Sequence, residues 1–370
     1  MSLDQHARAG LQLLGSLQVF SSTALLERAE SDFDQHAVAS DLSSQTQQAV
    51  KDEDWPERLD TIRDVAERSL AYRFNRFYQR YVAEENWVRS IVGVERRRDQ
   101  YAQPRSAESP TVHPRLQLDP TLEEPDYYAG VEWHLQPGGL DSYDLSGPMA
   151  FAGFIPHVFS RGGFAAVAVG DDLLEQRRQV IAQFRKDRYQ RIYDPGCGGA
   201  GTLGLCRQRF PEAELVGGDL SAKVLRNGLA FSEQRGWDIE FRQEDARKTG
   251  EPDNAVDGVI SYALHHELPA VVSIDVLKEM FRILAPGGDI VISDPPPFRA
   301  VSPFRAGLLA WERDNRAEPY FIEACMLNLA AVLTDIGFVD VEEYALQETG
   351  YPWVTRATKP DSSSQQTGSA

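Results

Sequence analysis

The feature that most constrains the fold is a glycine-rich turn set directly between an apolar segment and a candidate helix. The apolar segment is 191–193, the turn reads DPGCGGAGT over 194–202, and a helix carrying Leu203, Leu205 and Phe210 follows. Glycines in such a turn let the backbone approach a ligand closely and lead it to a helix N-terminus. The pattern therefore predicts a strand, a ligand-binding loop and a helix, in that order.

Further apolar segments continue this alternation toward the C-terminus. Candidate strands lie at 214–218, 239–241, 256–262 and 290–293, and amphipathic helical patterns separate most of them. Such alternation is typical of a mostly parallel sheet covered by helices on both faces. We therefore expect an α/β fold.

Two of the predicted strands end in an acidic residue. Asp219 closes the second strand and Asp245 follows the third. Ligands of such sheets bind outside the carboxyl ends of the strands, where a carboxylate can accept the hydroxyls of a ribose. Asp245 is placed to accept a hydrogen bond from an exocyclic amine such as adenine N6. Together, these strand ends predict a site for a nucleoside.

The glycine-rich loop alone does not identify the ligand, because a nicotinamide cofactor or a nucleotide sugar would use the same glycines. Asp194 stands two residues before Gly196. Its carboxylate would oppose a pyrophosphate, whereas it suits the ammonium group of an amino acid. A non-catalytic module that keeps the site for an interaction partner remains a further alternative.

The segment 194–294 resembles the class I S-adenosylmethionine-dependent methyltransferases. The D-x-G-x-G loop, the acid Asp219, the pair Asp245-Ala246 and the turn LAPGG at 284–288 occur in the order and spacing of that family. Ala200 stands where the family commonly has its third loop glycine. The resemblance covers roughly 171–359 and implies a Rossmann-like, seven-stranded, mostly parallel sheet with an antiparallel last strand. Segments 338–346 and 351–355 fit the final hairpin.

The resemblance also implies which residues bind S-adenosylmethionine. The loop residues expected at its methionine end are Asp194, Gly196, Gly198 and Gly201. Asp219 and Leu220 are expected at the ribose, and Asp245 and Ala246 at the adenine. No metal is expected.

The segment VISYALHH at 259–266 is similar to the fourth-strand motif of the small-molecule branch, which includes quinone-biosynthesis methyltransferases. We expect Ser261 to contact the cofactor, and Tyr262, His265 and His266 to be the candidate catalytic residues. Histidine is the usual general base near neutral pH. The adjacent pair is equally open to a packing or orienting role, and Glu267 is an alternative base.

One motif points to a different substrate. DPPPF at 294–298 resembles the signature of enzymes that methylate nucleobase amines, but that signature ends the fourth strand, and here the motif ends the fifth with an extra proline. We expect it instead to form a rigid wall of the substrate pocket.

The remaining regions are predicted from composition and spacing. Residues 1–100 are expected to be helical, with Ser21, Ser22 and Thr23 as caps between two helices. Residues 101–170 are expected to form a linker and an aromatic lid, 171–360 the methyltransferase domain, and 361–370 a disordered tail. The N-terminal extension is open to two roles, dimerisation or docking of a carrier protein.

Charge and composition limit the partners. The chain has 38 Lys and Arg against 56 Asp and Glu, a formal net charge of −18, which disfavours nucleic acid. No run of about 18 apolar residues is evident, so no membrane insertion is expected. Three scattered cysteines and an N-terminus unlike a secretory signal fit a cytoplasmic protein. The aromatic-rich lid predicts a small or medium, partly apolar acceptor that receives a methyl group on O, N or C.

Overall fold

A computed structural model describes residues 2–44, 50–102, 112–161, 173–348 and 350–361. The predicted tail beyond Asp361 and the predicted helix start at Asp171 lie outside these residues. The first part of the chain is helical: α1 (Gln5–Phe20), a π-helical turn (Ser21–Leu25), α2 (Leu26–Asp34), α3 (Ala37–Ser44), α4 (Trp55–Ala66), α5 (Leu70–Glu95) and α6 (Arg98–Tyr101).

The predicted caps between the first two helices are wrong. The chain continues from α1 to α2 without a break, and no side chain caps the junction. Ser21 and Ser22 are buried instead, and Gln79 of α5 donates to the Ser21 hydroxyl at 2.6 Å. Their hydroxyls therefore serve contacts between helices.

Within the described part of the chain, one stretch, Gln5–Asp34, is long and apolar enough to cross a membrane by length and composition. Its buried face includes Leu11 and Leu14, which pack in one cluster with Val82 and Trp87 of α5.

Short elements follow between 112 and 161. They are β1 (Val112–His113), β2 (Leu116–Gln117), α7 (Ser146–Pro148), α8 (Ile155–His157) and single helical turns at Trp133–Leu135, Met149–Phe154 and Phe159–Arg161. We call residues 126–145 the lid segment, because they lie against the carboxyl edge of the main sheet, as the contacts below show.

The C-terminal half alternates helices and strands. In chain order the elements are α9 (Leu173–Ile181), β3 (Arg191–Pro195), α10 (Gly201–Arg209), β4 (Glu214–Asp219), α11 (Ala222–Glu233), β5 (Glu240–Gln243), β6 (Val256–Tyr262), α12 (Ala270–Ile283), β7 (Leu284–Asp294), α13 (Pro303–Asn315), α14 (Phe321–Met326), α15 (Leu329–Ile336), β8 (Val339–Ala345) and β9 (Trp353–Thr358).

The strands form one sheet in the order β1-β2-β5-β4-β3-β6-β7-β9-β8. The block from β5 to β7 is parallel, whereas β9 is antiparallel to both β7 and β8. The predicted Rossmann-like sheet with an antiparallel last strand is therefore confirmed. Its seven strands become nine because β2 pairs in parallel with β5, through Leu116 and Phe241, and β1 pairs with β2.

Apolar side chains cover both faces of the sheet. One face packs on α9, α10 and α11, and the other on α12 and α15. A third apolar cluster joins α2 and α4 to α13. In it, Phe33 of α2 and Phe304 of α13 lie with ring centroids 5.4 Å apart. The segment between β7 and β8 therefore packs on the N-terminal helices, and Phe304 is a buried core residue there.

Candidate functional site

The glycine-rich loop connects β3 to α10 through backbone that is left-handed at three positions. The φ angles are +65° at Gly196, +55° at Gly198 and +67° at Ala200. A Cβ on Gly196 would lie 2.6 Å from Leu264 Cδ1, whereas one on Gly198 would meet nothing within 4 Å. Glycine is needed at 196 for conformation and space, and the loop at 198 borders open space that a ligand can enter.

Ala200 keeps this loop shape without the third glycine of the family. It is fully buried and stands at the N-terminus of α10, where an L residue in left-handed backbone costs roughly 1–2 kcal/mol. Strain of this kind is typical of functional loops. Ala200 is therefore held in a backbone conformation that glycine adopts more readily.

Asp219 lies beside this loop at the end of β4. Its Oδ2 accepts from the Gly198 amide at 2.9 Å and its Oδ1 accepts from the Ser221 amide at 2.9 Å. Burial raises the pKa of Asp219 to about 6, against the two amide hydrogen bonds. The two amides fix the carboxylate, and its remaining lone pairs can accept hydroxyl donors. The next residue, Leu220, is half-buried, and its carbonyl accepts from Gln243.

The lid segment contacts the same strand end. Ser221 donates from its hydroxyl to Asp141 at 2.6 Å, and the Lys223 ammonium contacts the Asp141 carbonyl. Burial and the nearby charge of Asp219 raise the pKa of Tyr128 in the lid segment well above its usual range. The lid segment therefore adjoins the predicted ribose position.

Asp194 is the penultimate residue of β3, and only 2% of its surface is exposed. Within the described ranges its carboxylate has no hydrogen-bond partner, and burial raises the pKa of Asp194 well above its usual range. A buried carboxylate without a partner is costly, so the chemistry of this position fits a cationic ligand group. The positive charge of Arg177, in α9, opposes this rise, and sequence reasoning missed that residue.

At the predicted adenine position, the side chain of Arg247 already binds Asp245. Arg247 forms an ion pair with Asp245, with Nη2 2.6 Å from Oδ2. The Arg247 guanidinium also lies 5.5 Å from the ring centroid of Tyr127. Burial, with the Asp245 charge, raises the pKa of Tyr127 to about 12. Ala246, half-buried, packs on the same cluster as Tyr127, so an aromatic ring borders this subsite.

The end of β6 carries two predicted residues on opposite faces of the sheet. Ser261 is 1% exposed, and within the described chain its hydroxyl has no partner. Tyr262 faces the other side of the sheet, where its hydroxyl lies 3.0 Å from the Tyr351 hydroxyl. The guanidinium carbon of Arg177 lies 4.5 Å from the centroid of the Tyr262 ring. Only Tyr262 therefore presents its side chain to the Asp194 side.

The two histidines lie on a turn organised by Asp294. Its carboxylate accepts the backbone amides of Leu264, His265 and His266 at 2.9 to 3.1 Å, and it pairs with His266 Nδ1 at 2.7 Å. Asp294, the first residue of the DPPPF motif and the last residue of β7, thus anchors the turn after β6. Its observed role is to hold this turn, a more specific role than the pocket wall expected from the sequence.

The environments of the two histidines push their protonation in opposite directions. Burial would lower the pKa of His266, but the Asp294 charge outweighs it and raises the pKa to about 9. Burial lowers the pKa of His265, whose Nδ1 lies 3.2 Å from the Ser273 hydroxyl. At neutral pH the raised pKa keeps His266 a cation held by Asp294, whereas the lowered pKa of His265 favours its neutral form.

A second histidine site was not predicted. His134 of the lid segment pairs through Nδ1 with Glu318 and through Nε2 with Glu267 at 3.1 Å. Burial would lower the pKa of His134, but the two carboxylates raise it well above its usual range. The cluster ties together three segments far apart in the chain, and the only sequence signal was Glu267 beside the histidine pair.

In the ranges that the structure covers, no group of three His, Cys, Asp or Glu side chains is arranged to hold a metal ion. His134 itself uses both ring nitrogens in ion pairs.

Comparison with known proteins agrees with this architecture. Residues 192–288 match the model of a methyltransferase domain. Demethylmenaquinone methyltransferase of Thermus thermophilus is 31% identical over 158 residues, which cover 39% of this chain and 70% of the relative. Trans-aconitate 2-methyltransferase of an Azoarcus species is 31% identical over 125 residues, covering 34% of this chain and 47% of the relative.

Among solved structures, phosphoethanolamine N-methyltransferase 2 of Haemonchus contortus, crystallised with phosphomonomethylethanolamine and S-adenosylhomocysteine, matches with 16% identity and a TM-score of 0.40. The match covers 50% of this chain and 53% of that one. The ordered motifs, the sheet topology and the sequence relatives lead to one conclusion: this chain belongs to the class I S-adenosylmethionine-dependent methyltransferases of the small-molecule branch.

Proposed function

We propose that this protein transfers the methyl group of S-adenosylmethionine to a nucleophilic O, N or C atom of a partly apolar small molecule, an EC 2.1.1 activity. The observation that carries the proposal is Asp219, fixed at the end of β4 by the amides of Gly198 and Ser221. A carboxylate held in this way beside an open glycine loop suits a ribose diol. Asp194 supplies the complementary charge for the methionine ammonium.

S-adenosylmethionine supplies an electrophilic methyl group on its sulfonium sulfur. The protein's part is to orient the acceptor in line with that methyl at about 3 Å and to exclude water. We propose that the lid segment and Tyr320 form this enclosure. Trp133 lies between Tyr128 and Tyr320, with ring centroids 6.0 and 6.3 Å away, and Tyr320 donates to the Tyr127 carbonyl at 3.0 Å.

Glu267 is the group we propose to receive the acceptor's proton. Glu267 is the last residue of the turn after β6, and its side chain is 23% exposed. Its negative charge contributes to the raised pKa of Asp219. His134, itself paired with Glu318, holds Glu267 in place from the lid side. The histidine pair orients this turn through Asp294, so His265, His266 and Tyr262 act as positioning residues.

The charges at the site favour a neutral acceptor over a polyanion. Two carboxylates, Glu267 and Glu318, flank a single cation at His134, and Asp141 and Asp219 lie beyond them. An acceptor with several carboxylates would be repelled by this arrangement. A flat aromatic acceptor, such as the reduced form of the demethylmenaquinone in the name of the Thermus relative, fits the aromatic enclosure better.

The test is an acceptor assay that measures S-adenosylhomocysteine and methylated product by mass spectrometry. The protein is incubated with S-adenosylmethionine and either a reduced demethylnaphthoquinone or trans-aconitate, with Asp219→Asn as the matched control. We expect turnover with the quinol, little with trans-aconitate, and loss of turnover in the variant. Faster turnover of trans-aconitate would contradict the charge argument, and an unaffected variant would contradict the cofactor site.

A further inference from the structure

Helix α5 carries apolar side chains on its outer face as well as on its inner face. The inner face packs on α1 in one apolar cluster. The outer face presents Leu70, Phe74, Phe77 and Val88 to solvent, each with 46–60% of its surface exposed. A helix of a soluble protein carries polar residues on its solvent side, and a helix that is apolar all round is one that becomes buried. The outer face of α5 is therefore expected to bind a partner.

The outer residues follow the spacing of a coiled-coil seam. Eight positions recur at alternating intervals of four and three residues along the 26 residues of α5, and all eight are at least partly exposed. We call them the α5 seam: Leu70, Phe74, Phe77, Tyr81, Glu84, Val88, Ile91 and Glu95. A 3.5-residue repeat sustained for more than three heptads is the pattern by which one α-helix packs along another. The spacing therefore favours a helix as the partner.

Stacked aromatic rings make this face large enough for a stable interface. The rings of Phe77 and Tyr81 stack at an interplanar angle of 10°, and Phe74 stacks on Tyr78 at 24°. Phe20 of α1 extends the face, with its ring centroid 6.3 Å from that of Tyr78. The three phenylalanines alone expose roughly 300 Å². Two copies would therefore bury roughly 600 Å² from phenylalanine alone, about half of what the smaller stable interfaces bury.

The charges along α5 favour an antiparallel second copy. The N-terminal half has exposed cations and no acid, whereas acids outnumber cations in the C-terminal half. The charged residues that face outward are Arg73 and Arg80 in the first half, and Glu84, Glu85 and Glu95 against Arg89 in the second. Antiparallel pairing would place the basic half of each helix on the acidic half of the other and would oppose the two helix dipoles. Parallel pairing would place like charges together.

The α5 seam also matches itself when one copy is turned end for end about the centre of the helix. Phe77 then faces Val88 of the second copy, and Tyr81 faces Glu84 of the second copy. Arg89 already donates to the Tyr81 hydroxyl at 2.8 Å, so the Tyr81 proton is available to the opposite Glu84 carboxylate. A single polar layer inside an apolar seam specifies register. The sequence of α5 therefore suits one antiparallel register.

We propose that two copies of this chain form a homodimer through antiparallel pairing of their α5 seams. The proposal concerns an interaction surface and does not depend on the proposed function. It gives the N-terminal helices the first of the two roles that the sequence left open. A bilayer surface is the less suitable occupant, because it would not require a heptad spacing and Glu84 lies at the centre of the apolar face.

The first experiment is sedimentation velocity of the full-length protein at micromolar concentrations. The seam variant is Phe74→Glu with Phe77→Glu, and the matched control is Val271→Glu, because Val271 is 70% exposed on α12. We expect the wild type and the control to sediment at twice the mass of one chain. The seam variant should sediment as a monomer, with its dimer Kd raised at least about 100-fold, since both central aromatic contacts are lost. Thermal unfolding checks that each variant keeps its fold.

The second experiment tests the orientation with a short bis-maleimide cross-linker. In an antiparallel pair, the cysteines of Phe77→Cys with Val88→Cys face each other across the seam and should give a covalent dimer. Phe77→Cys alone is the matched control and should give none, because antiparallel pairing separates its two copies by about three helical turns, about 16 Å. The three native cysteines are buried and do not compete.

A monomeric wild type at these concentrations would overturn the proposal, and so would a dimer that the seam variant leaves intact. Cross-linking by Phe77→Cys alone would show parallel pairing and would contradict the antiparallel register. Co-sedimentation of the wild type with phosphatidylcholine vesicles, lost in the seam variant, would assign the face to lipid and overturn the dimer. None of these results bears on methyl transfer, so the two proposals stand or fall separately.

Discussion

The ion pair between His266 and Asp294 should give the protein a specific pH dependence of stability. The two groups are 2.7 Å apart and both nearly fully buried, and the pKa of His266 is raised from 6.5 to about 9. Each pH unit between these values corresponds to about 1.4 kcal/mol, so the pair contributes about 3 kcal/mol to the free energy of unfolding. This contribution is of the size expected when one partner of a buried pair is removed.

The sign follows from the raised pKa. Native protein holds the His266 proton more tightly than unfolded chain, so the contribution is complete below pH 6.5 and is lost as the pH rises through about 9. His134 adds a second group of the same sign. The wild type should therefore lose stability from pH 7 to pH 9, and His266→Asn should lose less over the same range.

Urea denaturation at pH 6, 7, 8 and 9 measures this difference. His265→Asn is the matched control, because burial lowers the pKa of His265, the opposite direction to the shift of His266. We expect His266→Asn to be about 3 kcal/mol less stable than the wild type near pH 6.5 and to approach it near pH 9. Parallel pH profiles for His266→Asn and the wild type would refute this reasoning.

Three further predictions concern the site. Glu267→Gln should lower kcat about 100-fold or more while leaving the Kd of S-adenosylhomocysteine within about threefold, measured by turnover and calorimetry; an unchanged kcat would exclude Glu267 as the proton acceptor. Gly196→Ala should destabilise the fold by at least about 2 kcal/mol in urea denaturation, since it adds a 2.6 Å contact with Leu264 to the strain of its left-handed backbone. Gly236→Ala, with φ +66° and no atom within 4 Å, should cost only about 1 kcal/mol. Asp245→Ala should reduce the preference for S-adenosylhomocysteine over its inosine analogue, and an unchanged ratio would remove Asp245 from the adenine subsite.

The sequence predicted the central sheet because its signals are local. Strands β3, β4, β6 and β7 each contain a short apolar segment, and the glycine turn and Asp219 lie next to their strands. Ala200, which departs from the family pattern, adopts the left-handed backbone that a glycine would favour there. Local pattern, turn chemistry and strand ends agree with one another here, and such agreement makes a prediction succeed.

The parts that sequence reasoning missed depend on contacts between distant segments. His134 and Glu318 are 184 residues apart, and neither position carries a local pattern that announces the pair. Asp294 holds a turn on the neighbouring strand, so its motif was assigned a less specific role. Arg177 lies in a helix that looks ordinary by sequence, and only its approach to Asp194 and Tyr262 reveals it.

The structure also differs from the sequence prediction in the direction that some side chains take from their strand or helix. Ser261 and Tyr262 are adjacent, yet alternation along β6 sends them to opposite sides of the sheet. Ser21 and Ser22 looked like caps because serine favours helix ends, but their hydroxyls are buried among polar side chains of α5. The residue type was informative in both cases, and the direction of the side chain was decided by packing.

Calorimetric titration of purified protein, freed of bound ligand, with S-adenosylhomocysteine and with NAD tests the central claim most directly. The account predicts micromolar binding of S-adenosylhomocysteine, no binding of NAD, and a loss of about 2 kcal/mol in Asp219→Ala, because the ribose hydroxyls lose their acceptor. Binding of NAD in place of S-adenosylhomocysteine, or binding of S-adenosylhomocysteine that is unchanged by Asp219→Ala, would contradict it.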